Sequence, residues 1–199
     1  LVAHWLGAGF IHGVMNTDNV AISGETIDYG PCAFMDRFAV ETVFSSIDAN
    51  GRYAYGRQPQ IMHWNMARFA EALLPAIHAV DPADVDHAKA MVDAISDRFR
   101  AIWFIRMRAK LGLVQADDGD GTLIDSLFGE LEQHKVDFTL FFRALAQLLR
   151  GDGDMMRALL PDAEAMAPWI ADWWAHLERE AIAPLERADA MDAVNPLYI

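Results

Sequence analysis

Apolar and polar positions follow two different periods along the 199-residue chain. Val2, Trp5, Leu6, Gly9 and Phe10 recur at helical spacing, which predicts a first helix ending near Gly13. The period then shortens. VAI (20–22) and TID (26–28) are β-prone runs on either side of Ser23, Gly24 and Glu25, the pattern of a tight hairpin. From 30 to 59 no period is sustained, and DANG (48–51) and GRQP (56–59) are turn clusters. A loop of that length inside a compact domain is usually functional or mobile. After Pro59 the pattern is helical over 60–74, 83–111, 122–133, 135–150 and 163–188, with a stop before Pro75 and a break near Pro184. Phe99, Ile102, Trp103, Phe104 and Ile105, like the run FTLFFRALAQLL (138–149), are apolar over so wide an arc that both helices are expected at the centre of a bundle. The expected fold is mainly α, with one short β-hairpin at about residues 19–29.

Composition narrows the partners. A chain that is 53% hydrophobic can bury one substantial core, so residues 1–199 are read as a single domain. Sixteen basic against twenty-nine acidic residues, a net charge of −13, repel a phosphate backbone and exclude nucleic acid as a partner. The lone cysteine, Cys32, rules out an internal disulfide framework, fits a reducing compartment, and is expected to be a small buried residue rather than a nucleophile. No run of about eighteen uncharged apolar residues is present, so a soluble protein with no membrane partner is expected. The chain opens on Leu and on an apolar helix without a preceding cap, which reads as a fragment of a larger fold.

The acidic run DDGDG (117–121) invites a calcium-loop reading. Counted from Asp118, however, the sixth place is Leu123 and the twelfth is Gly129, where the loop needs Gly and Glu. It is read instead as a solvated lead-in, with Asp120 or Thr122 capping the next helix. The seven histidines show no zinc spacing. Residues 12–31, HGVMNTDNVAISGETIDYGP, survive the same test. If Ser23-Gly24 is a two-residue turn, Asn19 falls opposite Asp28, and a three-residue turn moves this by only one place. An amide oxygen and a carboxylate would then converge at the open end of the hairpin, with Asp18 adjacent. Magnesium prefers hard oxygen ligands and takes one or two carboxylates from protein, a demand that Asn19 and Asp28 meet. Taken singly, TDN and DYG are ordinary turn words; their joint spacing points to a metal pair.

These residues resemble a kinase catalytic loop. His12 and Asn19 keep the interval between the His and the metal-binding Asn of that loop, and Asp28-Tyr29-Gly30 stands where Asp-Phe-Gly would. The usual catalytic Asp is missing, since Gly13 and Val14 take the Arg-Asp places. HGVMNTDN followed by TIDYGP is similar to the selenoprotein O family, also called YdiU or UPF0061. GRYAYGRQP (51–59), IMHWNMARFAEAL (61–73), KVDFTLFFRAL (135–145) and MDAVNPLYI (191–199) extend the likeness over nearly the whole chain.

The resemblance implies the helical C-terminal lobe of a protein-kinase-like fold, from a pseudokinase that binds ATP in reversed orientation and transfers AMP to Ser, Thr or Tyr hydroxyls of proteins. By motif position Asp18 is the expected base, Asn19 and Asp28 the ligands of Mg2+ (with Mn2+ as the alternative), and Asp28 the link through the metal to the ATP phosphates. His12, Tyr29 and Gly30 are expected to support the loop, with His12 braced against Tyr29. Segment 30–59 would correspond to an activation segment. A bacterial, cytoplasmic protein is expected. The glycine-rich loop and phosphate-binding Lys belong to an N-terminal lobe absent from this sequence, so the isolated fragment is expected to be inactive. The rival readings are a kinase-type phosphotransferase and a non-catalytic helical module that binds a partner.

Overall fold

The computed structural model describes residues 1–80, 84–160, 162 and 164–197. The expected helix starts at 83 and 163, and the last two residues of MDAVNPLYI (198–199), lie outside them. The fold is mainly α, with 61% of the described residues helical. The helices are α1 (Val2–Ala8), α2 (Gln58–Val80), α3 (Asp84–Asp93), α4 (Ile95–Leu111), α5 (Asp120–His134), α6 (Phe138–Leu149), α7 (Asp154–Leu159), α8 (Ala167–Leu177) and α9 (Pro184–Val194). Two 3-10 turns cover Thr17–Asn19 and Tyr55–Arg57, and one antiparallel sheet pairs β1 (Phe10–Ile11) with β2 (Ala33–Phe34). None of these helices is long and apolar enough to cross a membrane.

The expected short sheet is present among the described residues, but its strands bracket the expected hairpin instead of running through 19–29. Within that stretch the Gly24 N–H closes on the Ala21 carbonyl in a turn (3.1 Å), and the flanking residues form no ladder. Ile22 is 85% exposed, so the alternating pattern has no apolar face to bury, and an isolated two-stranded ribbon is marginal without one. Pro75 likewise fails to end α2, which runs through it to Val80. The carbonyl it leaves without a partner, at Glu71, lies on an exposed stretch where water can satisfy it.

The described residues gather into two compact units that interleave along the chain. The first comprises Leu1–Leu6, Phe10–Ala33 and Glu41–Trp103, in which α3 packs on α2. The second comprises Gly7–Gly9, Phe34–Val40 and Phe104–Ile199, and α6 is its axis. Phe138, Phe141, Phe142, Ala144, Leu145, Ala146 and Leu149 are all buried, as the wide apolar arc predicts. Their rings continue into an aromatic chain, Phe141 to Trp169 (5.7 Å between centroids) and Trp169 to Trp173 (6.4 Å). The same expectation for α4 is not met, since Ile102 is 43% and Ile105 59% exposed and only Met107, Lys110 and Leu111 are buried.

The end of α4 is closely bonded within the second unit. Gly112 takes the left-handed conformation (φ 74°), and Leu113 and Gly112 donate to the Arg108 and Ala109 carbonyls (2.9 and 3.2 Å), a Schellman cap. The next three carbonyls have no helical partner and are taken by side chains from elsewhere. Asn195 Nδ2 donates to Lys110 O (3.0 Å), Trp173 Nε1 to Leu111 O (2.9 Å), and Arg187 Nη1 to Gly112 O. Lys110 itself is 3% exposed, with its Nζ 4.0 Å from the Phe142 ring. Burial, with a smaller contribution from Arg106, pushes its ammonium down to about 7. The unfolded chain therefore binds more protons between about pH 7 and the ordinary lysine range, so stability should rise with pH across that window. Thermal melts at pH 7 and 9 would check this. The rise should vanish in Lys110→Met.

Candidate functional site

Residues 12–31 hang from buried amides and rings of the first unit. Gln58, the first residue of α2, accepts the His12 N–H on Oε1 (3.0 Å) and donates from Nε2 to the Phe10 carbonyl (3.0 Å). Two turns on, Asn65 Nδ2 donates to the Met15 carbonyl (2.9 Å), and from α1 Trp5 Nε1 donates to Thr26 Oγ1 (3.1 Å). Gln58 and Asn65 are both buried, so each must find such a partner. At Gly13 (φ 82°) a Cβ would stand 3.0 Å from the Pro31 ring and carbonyl, a close approach that glycine alone accommodates.

His12 is 1% exposed and organises the stretch from inside. Its Nδ1 accepts the Val14 N–H (3.4 Å), which leaves the proton on Nε2 to be donated to the Ile27 carbonyl (2.7 Å). Val14 in turn accepts from Asn19 Nδ2 (3.3 Å). A relay of three hydrogen bonds thus runs from Asn19 through Val14 and His12 to the residue preceding Asp28. His12 therefore braces the loop through Ile27 and not, as expected, against Tyr29, whose side chain is 64% exposed. A main-chain carbonyl is a fixed acceptor at the imidazole's edge.

Each expected site residue has a definite setting. Asp18 sits in the exposed 3-10 turn Thr17–Asn19, beside half-buried Asn19. Asp28 is exposed and holds a left-handed backbone (φ 54°), which costs most residues about 1–2 kcal/mol but which Asp visits more readily than most. The Gly30 N–H returns to the Asp28 carbonyl (2.8 Å), so Asp28, Tyr29 and Gly30 close a three-residue turn. The relay links Asn19, through Val14 and His12, to the residue before Asp28 without a strand ladder. Cys32 is half-buried, not buried. An apolar cavity of about 360 Å3 opens beside Asn19, walled by Trp5, Met15, Met62 and Phe99 among others.

Gln58 and Asn65 were not singled out from sequence. The available signal was an amide on an otherwise apolar stretch of α2, and at Gln58 it was masked by reading GRQP as a turn cluster. Segment 41–59 is also tied in. Asp48 accepts the N–H groups of Arg52 (2.7 Å) and Tyr53 (2.8 Å), and the Tyr53 hydroxyl donates to Asn16 Oδ1. Tyr55 OH donates to the Leu6 carbonyl (2.7 Å), and complete burial pushes its phenol far above the usual range.

The profile of the family described as Protein adenylyltransferase SelO matches residues 1–199. A Protein nucleotidyltransferase YdiU of Sphingopyxis alaskensis is 76% identical over 199 residues, covering 100% of this chain and 41% of the relative. Proteins of the same description from Chromobacterium violaceum and Rhizobium leguminosarum are 50% and 49% identical, again over 100% of this chain and 42% and 40% of their own lengths. The chain spans about two-fifths of the length of these relatives.

Proposed function

The chain belongs to the SelO family of protein adenylyltransferases, and from that premise we propose that its parent protein transfers AMP from ATP to Ser, Thr or Tyr hydroxyls of proteins, with Mg2+ held by Asn19 and Asp28. The observation that carries this reading is the His12 relay, which joins the two ligand turns. The donor set fits the cation. Because the Asn19 amide nitrogen is committed to Val14, its oxygen is the atom it can offer a metal, while Asp28 presents an exposed carboxylate. One neutral oxygen and one carboxylate leave an octahedral ion room for water and substrate phosphates. Mg2+ bound there, or Mn2+ in its place, would offset the charge gathering on the phosphate oxygens.

The protein's own part is to position the groups and to move one proton. Asp18, adjacent to Asn19 and open to solvent, takes the proton of the attacking hydroxyl on a carboxylate oxygen, so that the oxygen attacks the α-phosphate while the bond between the α and β phosphates breaks and pyrophosphate leaves. The left-handed turn at Asp28 follows directly on Ile27, whose carbonyl His12 holds, so the backbone that carries the carboxylate is anchored. Segment 30–59 serves as the surface for the protein substrate. Its exposed Phe44 and Ile47, at 41% and 85%, would give an incoming chain apolar contact close to the ordered Asp48 loop. The chain spans about two-fifths of the length of its relatives, and by itself it is proposed to be inactive.

The test uses the intact parent protein with ATP labelled at either the α or the γ phosphate. Label in protein from the α position alone is the expected result. Incorporation from γ would replace this reading with kinase chemistry, and incorporation from neither would leave a binding module. Asp18→Ala should lower turnover about 10²-fold or more while nucleotide affinity, measured by equilibrium binding, stays unchanged. A full-rate Asp18→Ala protein would return that residue to the role of turn former.

A further inference from the structure

The start of α5 gathers a second set of ligand atoms, remote in sequence from residues 12–31. Asp117 lies in the lead-in to α5, Asp120 is its first residue, and His176 is in the last turn of α8. One ligand atom from each lies within 4.8 Å of the other two. The run DDGDG is therefore not wholly solvated, because Asp120 is 2% exposed.

Three observations point into the hollow between these groups. Asp120 Oδ1 and His176 Nε2 are both shut off from water and have no hydrogen-bond partner. Such buried orphans are rare in native structures and call for a partner. His176 Nδ1 lies 2.9 Å from the Asp172 carbonyl and donates to it, so the lone pair is on Nε2. A histidine that spends its Nδ1 proton on a main-chain carbonyl is oriented as metal-binding histidines are. The third observation is space: a Cβ on Gly119 would stand 3.0 Å from both Asp117 Oδ1 and His176 Nε2, so the missing side chain keeps the hollow open.

The outer oxygens are already committed. Asp117 Oδ2 meets Arg179 Nη1 (3.1 Å), and Asp120 Oδ2 faces Arg108 Nη1 (3.5 Å) and accepts the Asp117 N–H (3.0 Å). Asp117 Oδ1 accepts the Gly119 N–H (2.8 Å) and keeps a second lone pair. The two guanidiniums orient the carboxylates and cancel much of their charge.

We propose that Asp117, Asp120 and His176 form a binding site for a first-row divalent transition cation of the Zn2+ type, stapling α5 to α8. Three protein ligands with mixed nitrogen and oxygen donors, plus a water, complete a four-coordinate shell for that ion. Mg2+ and Ca2+ fit poorly, since they need more oxygens than the pair supplies, and the imidazole favours the transition metal.

The test takes the intact, tag-free protein carrying Asp28→Asn to silence the proposed magnesium pair, stripped by chelator and titrated with Zn2+ and with Co2+ as the spectroscopic probe. The expected result is about one equivalent bound at micromolar affinity or tighter, with d–d bands of four- or five-coordinate Co2+ and a thermal midpoint raised by a few degrees. His176→Gln and Gly119→Ala should each weaken binding about tenfold or more and cancel the rise. Gly119 has φ −78°, so Ala fits its backbone, and an unchanged midpoint without metal would show that this variant folds. Wild-type affinity in both variants, or no binding at ~100 μM Zn2+, would overturn the site.

Discussion

Asp28→Asn should reduce metal-dependent transfer by the intact parent protein about 10³-fold or more, equivalent to about 4 kcal/mol of transition-state stabilisation. Asparagine keeps the length of the side chain and, like Asp, tolerates the left-handed backbone at φ 54°, so the change removes charge and little else. Asp28→Ala should be as inactive, but it also removes the polar side chain that eases the left-handed backbone there. Asn19→Ala should behave as Asp28→Asn does. The measurement is initial rate against Mg2+ concentration. A lost ligand appears as a loss of response that raising the metal does not restore, with the thermal midpoint of Asp28→Asn unchanged. Retention of more than a tenth of the activity by Asp28→Asn would sink the metal assignment.

Arg187→Ala should cost the second unit about 3–5 kcal/mol, the usual consequence of leaving one member of a buried ion pair alone. Arg187 is 2% exposed, and its guanidinium reaches Glu180 Oε2 (2.7 Å), the Leu177 carbonyl (3.2 Å) and the Gly112 carbonyl. Glu180 accepts in addition the N–H groups of Val114 (2.9 Å) and Gln115 (2.6 Å). Against a typical total of 5–15 kcal/mol, such a loss leaves little. Burial alone would raise the Glu180 carboxyl, but the bonds from Arg187, Gln115 and Val114 outweigh it and hold it below the ordinary glutamate range. Its contribution is therefore fully present above ~4.3 and is lost as the pH falls through the lowered folded value. In Arg187→Ala, acid unfolding should begin at higher pH. Denaturant unfolding followed by tryptophan fluorescence at pH 7 and pH 4 would measure both effects. A midpoint within about 0.5 kcal/mol of the parent at pH 7 would show that the pair is dispensable.

Much of this was legible from periodicity, because helices that bury a wide face announce it. The run at 138–149 became the axis of the second unit for that reason. The same signal misled at Ile102 and Ile105, where an apolar arc stays exposed, since a pattern states what a helix could bury and not whether anything covers it. At 19–29 the alternation and turn chemistry were real, but strand pairing needs a buried face, and exposed Ile22 supplies none. The residues of the candidate site were found through their spacing; the contacts that organise them were not. His12 to Ile27, Gln58 to Phe10, and Asn65 to Met15 join positions 15 to 50 residues apart, a separation no local pattern records. His176 escaped because its companions lie more than fifty residues earlier, across the packing of α5 on α8.

The relay through His12 has a consequence for tolerance to insertion and error. Had a β-ladder spaced Asn19 and Asp28, a one-residue slip would have turned one of them to the opposite face. Here each turn is pinned separately, by a side chain gripping a single peptide group, so there is no register to lose. The tip between the turns, at exposed Ser23 and Gly24, should then tolerate a change of length or composition while the two proposed ligands keep their places.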